Sequence, residues 1–427
     1  ATSGPGAQNL MNGLCGCWFE SIPAIFITGQ VSSYESIDSI KQNPRQLGFQ
    51  ETPVVDMFKP FTKYCTKITD VNQIPKVISE AICEMHSDRF GPILIDLPVN
   101  IQNTEVDIDF DAQYYNTPLM DTDIESKIEK LGEYINDSKK PLVLLGNGVR
   151  LSNSIGDARK FVEYHNIPFV VSWGGFDLIE HSHPLFVGDI GVYGSRGANF
   201  AIQNCDLLIV LGSRLDTRQT GGDLKLFSRD SKKVMVDLDE NEIFKGSSRG
   251  LNIDLPFICD LQNFFTCSDS LKSSSFSNEW FDRIELWKNT KYDNHKNNDS
   301  LNAYKFLEVL NKLLPNESIV IPDEGGHLVW TMQSLNVKKN QRIFTNFGNS
   351  SMGYALPAAI GAACDSEKSV ICIDGDGGFQ MNIQELQTIV NYQLPIKIFI
   401  INNECYGIIK QFQDAYFESR YTATEPK

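Results

Sequence analysis

Residues Gly375-Asp376-Gly377-Gly378, followed by Asn402-Asn403, have the types and spacing of a site where a divalent cation clamps a diphosphate. A carboxylate and an amide oxygen are hard ligands of the kind Mg²⁺ prefers, and the ion completes its octahedron with phosphate oxygens and water. Glycines let the backbone approach a ligand closely. The N-terminus of a following helix offers free N–H groups to phosphate. The flanking residues say what must position this site. Val370 to Ile373 is a short apolar run, read as a buried strand. Met381, Ile383, Leu386, Ile389 and Val390 are spaced as on an amphipathic helix running from Met381 to Val390. Ile396 to Ile401 reads as a second buried strand. Such a strand–helix–strand unit predicts parallel strands and a right-handed crossover. Asp376 and Asn403 would then follow the carboxyl ends of adjacent strands, the edge at which open parallel sheets bind ligands. The bland alternative is a glycine-rich turn without a ligand. Asn402-Asn403, beginning 24 residues after Gly378, argues against it.

The chain has 427 residues, enough for two or three domains, and its 41% hydrophobic and 22% charged content fits a soluble globular protein. A net charge of −16 without a basic run argues against a nucleic-acid surface. No apolar run approaches the roughly 20 residues that span a bilayer. Ten cysteines show no metal-ligand rhythm, and the one close pair, Cys15 and Cys17, suits neither a zinc knuckle nor a redox motif. They read mostly as buried thiols in a reducing compartment, which predicts a cytoplasmic protein. The abrupt opening at Ala1 and the stop at Lys427, soon after the metal motif, read as an excerpt of a longer protein.

Three α/β units follow one another. Residues 1–102 contain strands at Ala24 to Thr28 and Ile93 to Leu97, with a helix over Val71 to Met85 between them. Residues 103–123 are acidic and irregular and read as a linker. A second unit, 124–266, has strands at Pro141 to Leu145, Ile167 to Ser172, Leu207 to Leu211 and Lys233 to Leu238, separated by helical stretches as in a doubly wound parallel sheet. Residues 267–299 open on a Ser/Asn-rich stretch and read as a second linker. Residues 300–427 carry the metal motif.

In this order, the pieces resemble the thiamine diphosphate-dependent enzymes, and within them the acetolactate synthase-like branch. The resemblance covers nearly the whole chain. Thr2 to Asn9 (TSGPGAQN), Gly48 to Thr52 (GFQET), Lys59 to Tyr64 (KPFTKY) and Gly91 to Pro98 (GPILIDLP) look like the pyrimidine-binding domain. Leu211 to Gly222 (LGSRLDTRQTGG) looks like the central domain. Gly348 to Ala362 (GNSSMGYALPAAIGA) and the two metal segments look like the diphosphate-binding domain. The implied fold is three doubly wound parallel-sheet domains, the first and third incomplete. The resemblance implies that Asp376, Asn403 and the carbonyl of Cys405 hold Mg²⁺, with backbone contacts from Gly375, Gly377, Gly378, Tyr406, Gly407 and Ile408. Gly326 and His327, before Trp330, match a step that reaches the diphosphate. Pro5 and Asn9 would border the pyrimidine side, and the carbonyl of Ser350 would accept from the aminopyrimidine. Met352 would wedge under the cofactor and force it into a V, making proton removal from the thiazolium carbon intramolecular. Such positioning can supply about 7 kcal/mol. The thiazolium carbon would attack a 2-oxo acid, carbon dioxide would leave, and the two-carbon remainder would join a second carbonyl. Gln50 would face the substrate.

Three departures bear on the chemistry. The glutamate that activates the pyrimidine ring would precede Ala1, and Glu20 lies on the wrong side of the motif; truncation is the expectation. Phe412 stands where acetolactate synthases carry a tryptophan that favours 2-oxobutyrate as acceptor. Ser33 to Leu47 is longer and more polar than the usual loop before Gln50. A nucleotide-linked keto sugar is therefore an alternative acceptor, and a thiamine diphosphate-binding module without catalysis is the non-enzyme alternative.

The branch also binds FAD in its central domain. Arg214, Asp216 and Arg218 match that site, Gly146-Asn147-Gly148 would let a diphosphate approach, Arg89 matches a further contact, and Asp237 ends a strand where an acid meets a ribose hydroxyl. The alternative is that Arg214 and Arg218 pair with surface carboxylates. The implied partners are small 2-oxo acids and a second copy of the chain, in a homodimer or homotetramer with active sites between subunits. A regulatory subunit is left open.

Overall fold

The computed structural model describes residues 1–106, 121–290 and 301–425. They fall into two compact units. The first comprises the described residues of Ala1–Pro118 together with Asn346–Ser350. Its sheet has three parallel strands, β1 (Ile25–Gln30), β2 (Tyr64–Lys67) and β3 (Ile93–Pro98), in the order β1-β3-β2. The central strand reads as an apolar run because both of its faces are covered. Val77, Ala81 and Met85, spaced four apart on helix Ile74–His86, pack with Ile93 and Ile95. Leu94 faces a separate cluster with Ala7, Leu14, Val54 and Phe58. Segment Asn346–Ser350 is tied here by Glu20, which accepts from the Gly348 N–H, and by Asn349, which donates to Asn12 at 2.8 Å.

The second unit, the described residues of Leu119–Thr345 with Ser351–Lys427, carries two sheets. Strands β4 (Pro141–Leu145), β5 (Phe169–Val171), β6 (Phe186–Asp189), β7 (Leu207–Leu211), β8 (Lys232–Asp237) and β9 (Leu255–Ile258) form a parallel sheet in the order β6-β5-β4-β7-β8-β9. Strands β10 (Ile319–Pro322), β11 (Arg342–Ile343), β12 (Val370–Gly375) and β13 (Ile396–Ile401) form another, in the order β11-β10-β12-β13, also parallel. The three parallel sheets agree with the fold class read from the sequence. Within this unit, buried Asp177 joins the two sheets. It accepts from Arg150 at 2.7 Å, from Arg342 at 2.6 Å and from the Ile343 N–H at 2.8 Å.

The linker readings fare unevenly. Most of the first, residues 107–120, lies outside the described residues. The second, 267–299, contains helix Asn278–Asn289, and this part of the reading is corrected. Trp280 and Ile284 of that helix join the core under β4 and β7, and the Trp280 indole donates to the Pro141 carbonyl at 3.0 Å. The Ser/Asn-rich lead-in hid a helix whose stability comes from tertiary burial rather than propensity. Trp280→Ala is expected to cost about 3–5 kcal/mol, read as a lower urea midpoint for this unit.

The cysteines also differ from expectation. All ten are free, but only Cys205, Cys259 and Cys372 are buried. Among the described residues, no helix is long and apolar enough to cross a membrane.

Candidate functional site

In the second sheet of the larger unit, strand order reverses between β10 and β12: β11 lies to one side and β13 to the other. A crevice opens outside the carboxyl ends of the strands at such a point. Asp323 and His327 follow β10, Asp376 follows β12, and Asn403 follows β13. Gly375 pairs with Ile401, so the two metal segments leave their strands level with each other, as the sequence predicted.

Asp376 Oδ1 lies 3.4 Å from the backbone N–H of Asn403. The side-chain amide atom of Asn403 facing this corner is 3.2 Å from Asp376 Oδ1 and 2.7 Å from the Cys405 carbonyl oxygen. An NH₂ there would satisfy both acceptors in the absence of a cation. The oxygens of Asp376 and Cys405 each lie within 3.2 Å of that amide atom. Neighbouring ligands of an octahedral ion bound at about 2.1 Å are themselves about 3 Å apart. The residues present therefore fit a small, hard cation.

The glycines are explained one at a time. A side chain at Gly377 would meet the Tyr406 ring at 2.4 Å, and one at Gly407 would meet the Asn403 amide at 2.8 Å. A side chain at Gly378 would strike the carboxylates of Asp323 and Asp374 at 2.4 and 2.5 Å. His327 lies over Gly375, whose missing Cβ would sit 3.0 Å from Cε1. It is only 7% exposed, and its Nε2 has no partner among the described residues. Burial lowers its pKa, although Asp323 and Asp376 pull the other way. A buried ring nitrogen without a partner beside the metal corner can donate to a phosphate oxygen. Gly326, by contrast, packs on the Trp330 ring.

Two residues escaped the sequence reading. Asp323 and Asp374 are both fully buried beneath the turn, with ligand atoms of Asp323, His327 and Asp374 within 4.8 Å of one another. The signal for Asp374 was an acid inside an otherwise apolar strand. Burial, and then the charge of Asp323, raise the Asp374 pKa. Asp323 accepts from the N–H groups of Gly353 at 2.9 Å and Ala355 at 3.0 Å. That fixes the loop carrying Met352, which is 38% exposed and so is not a core methionine.

The helix expected from Met381 to Val390 is broken. A 3₁₀ stretch, Gln380–Glu385, precedes helix Leu386–Tyr392, and Asn382 departs from helical geometry. The cause is local. The Asn382 amide donates to the Gly353 carbonyl at 2.7 Å, a second tie on the Met352 loop.

Other assigned residues are placed as follows. Pro5 opens the short helix Pro5–Gln8 and Asn9 closes it, both exposed, in the smaller unit. Gln50 is exposed in the same unit with φ 63°, and a side chain at Gly4 would meet its carbonyl at 2.7 Å. Arg89 there donates to Ser21 at 2.8 Å, and Ser350 has φ 57°. Ile408 lies in the first turn of helix Gly407–Tyr416. Phe412, on the same helix, is 50% exposed and stacks on Tyr416.

In the six-stranded sheet the order reverses between β4 and β7, and Gly146-Asn147-Gly148 and Arg214 to Arg218 leave those two strands. The glycines have a structural reason of their own. A side chain at Gly146 would meet the Gly212 carbonyl at 2.2 Å, and one at Gly148 the Gly212 Cα at 2.7 Å. Asp216 caps helix Thr217–Thr220 and lies 3.7 Å from Arg214. Asp237 accepts from the Asp239 N–H at 3.0 Å.

Residues 128–267 match the thiamine pyrophosphate enzyme central domain, and residues 323–427 match the C-terminal TPP binding domain of the same enzymes. Along 99% of its length the chain is 31% identical to the acetolactate synthase isozyme 2 large subunit of Escherichia coli, covering 74% of that protein. It is 34% identical to acetolactate synthase 1, chloroplastic, of Nicotiana tabacum, also over 99% of its length but covering 63% of that protein. The acetolactate synthase large subunit of Corynebacterium glutamicum is 34% identical over 100% of this chain, which covers 67% of it.

Proposed function

Because the chain belongs to the thiamine pyrophosphate enzymes, in their acetolactate synthase branch, we propose that the intact protein decarboxylates pyruvate and joins the two-carbon remainder to a second 2-oxo acid. The observation that carries the reading is the corner formed by Asp376, Asn403 and the Cys405 carbonyl, with the orphan Nε2 of His327 beside it. The comparisons do not favour the keto-sugar acceptor or the non-catalytic module.

Bound thiamine diphosphate supplies the carbanion chemistry. The chain's residues do the rest. Asp376, Asn403 and Cys405 would hold Mg²⁺. The N–H groups around Gly377, Gly378, Tyr406, Gly407 and Ile408 and the imidazole of His327 would hold the diphosphate. Met352 would support the cofactor from below, and the Ser350 carbonyl would accept from its amino group. Pro5 and Asn9 would border the pyrimidine, and Gln50 and Phe412 would each face substrate. The assembly is a homodimer or homotetramer with sites between subunits. A regulatory subunit agrees with the relatives named as large subunits. The location is the cytoplasm.

FAD is part of the proposal on narrower support. The residues that would hold it leave the strand-order reversal of the central sheet, where a nucleotide is expected. Arg214, Asp216, Arg218 and Asp237 would hold it. Flavin absorbance in purified protein, lost on Arg214→Ala, tests this directly.

The intact protein, given pyruvate, Mg²⁺ and thiamine diphosphate, is expected to release carbon dioxide and form acetolactate. Carbon dioxide without acetolactate would refute the acceptor assignment and leave the family membership intact.

A further inference from the structure

Gln50 is held in a left-handed backbone conformation at φ 63°, which a non-glycine side chain adopts only when its surroundings impose it. The residue that follows it does the imposing. The backbone N–H of Glu51 closes a turn onto the Gly48 carbonyl at 3.1 Å. Its carboxylate then reaches back around Gln50. Oε2 accepts from the N–H groups of Gly48 at 3.1 Å and Leu47 at 3.4 Å. Oε1 accepts from the Ile37 N–H and the Ser36 hydroxyl, each at 2.7 Å. The near and far ends of the long polar loop are thus gripped by one side chain.

The grip is anchored on both sides. Lys67, at the end of β2, donates to Ser36 Oγ at 3.0 Å and pairs with Asp38 at 2.9 Å. The Ser36 hydroxyl therefore accepts from Lys67 and donates to the Glu51 carboxylate. On the other side, Gln30 at the end of β1 donates to the Thr52 carbonyl at 3.0 Å and to Asp96 at 3.1 Å. The loop also needs Gly48, where a side chain would lie 2.8 Å from the Glu35 carbonyl. Burial opposes ionisation of Glu51, but the bonds from Ser36, Ile37, Gly48 and Leu47 together hold its pKa below the ordinary carboxylate value. Charge-assisted bonds of this kind are the strong ones.

We propose that Glu51 is a positioning residue for acceptor choice: its carboxylate folds Ser33 to Gly48 into a fixed wall beside Gln50 and fixes Gln50 itself. The proposal rests on the reading that Gln50 faces the substrate.

The test uses the intact protein with Mg²⁺, thiamine diphosphate and pyruvate as donor, with pyruvate and 2-oxobutyrate competing as acceptors. Glu51→Ala is expected to change the product ratio or raise the acceptor KM about tenfold, with half-saturation by thiamine diphosphate unchanged. Glu51→Gln keeps the shape but turns an NH₂ toward backbone N–H donors, so it is expected to act in the same direction. Gln50→Ala is expected to shift the ratio likewise, and the double variant to add nothing further, because the two residues act as one unit. Amide exchange at Ile37, Leu47 and Gly48 is expected to quicken in Glu51→Ala. Unchanged exchange, a product ratio and an acceptor KM both unchanged in both Glu51 variants, or multiplying effects of the two residues would overturn the proposal. A wild-type protein that ligates no 2-oxo acid overturns the functional reading and the acceptor role with it. The exchange data would still decide whether Glu51 holds the loop.

Discussion

Asp376→Ala is expected to weaken Mg²⁺-dependent binding of thiamine diphosphate by at least about 100-fold, equivalent to roughly 2.7 kcal/mol. Substituting an outer partner of a metal ligand typically costs about 10–100-fold in metal affinity, and Asp376 is assigned as a ligand itself. It is also the one carboxylate among the three assigned ligands. Without it the cation loses charge compensation, and the diphosphate loses its bridge to β12 and β13. The substitution is expected to leave the fold intact. Asp376 is not fully buried, and its contact with the Asn403 N–H is long at 3.4 Å. Titration calorimetry with and without Mg²⁺ reads the effect. The wild type should show strong metal dependence and the variant almost none. Asp376→Asn should fall between them, since it keeps an oxygen but loses the charge. Unchanged cofactor affinity in Asp376→Ala would refute the metal assignment.

What the sequence showed, and what it hid, follows from which interactions are local. β12 was legible because a parallel strand buried on both faces reads as a continuous apolar run. β13 reads the same way, but it is the edge strand and none of its residues is fully buried, which corrects the reading of Ile396 to Ile401 as a buried strand. β4 and β7 were read with their correct limits for the same reason as β12. β2 was not read, because Tyr64–Lys67 is short and only half-buried along its length. β11 is two residues long, and Arg342 is in it because of Asp177, more than 160 positions away in the chain. The helix over Met381 to Val390 had the right apolar spacing, and periodicity cannot show that Asn382 will leave the helix to bond the Gly353 carbonyl.

The site divides in the same way. Asp376 and Asn403 were legible because their chemistry and spacing coincide. Asp323 and Asp374 were not, because their role depends on the pairing of β10 with β12 and on the missing side chain of Gly378. The glycines of the central sheet mark the opposite limit. Gly146 and Gly148 suited a ligand in sequence, yet the approach of Gly212 is sufficient reason for both. A glycine pattern reports that something comes close, and only the fold says whether that is a ligand or the chain itself.

Met352→Ala is expected to lower kcat by about 100-fold while changing the affinity for thiamine diphosphate by less than about threefold. The wedge reading makes this split specific. A side chain that bends the cofactor acts on the approach of its two rings, and such alignment can be worth about 7 kcal/mol in well-oriented reactions. On the proposed reading, cofactor affinity would come from the diphosphate and its metal, which Met352 would not hold. The loop should survive the substitution, because its anchors are elsewhere. Asp323 takes two of its N–H groups, Asn382 donates to the Gly353 carbonyl, and Gly353 holds a φ of 81° next to Met381. Exposure of Met352 at 38% also means that truncation opens no closed core cavity. Met352→Leu, which keeps apolar bulk, should retain most of the turnover. Steady-state kinetics at saturating cofactor, beside a direct binding titration, separate the two quantities. A variant that binds the cofactor poorly but turns over normally once saturated would show that Met352 is a contact for affinity, and the bent geometry would have to be set by another residue.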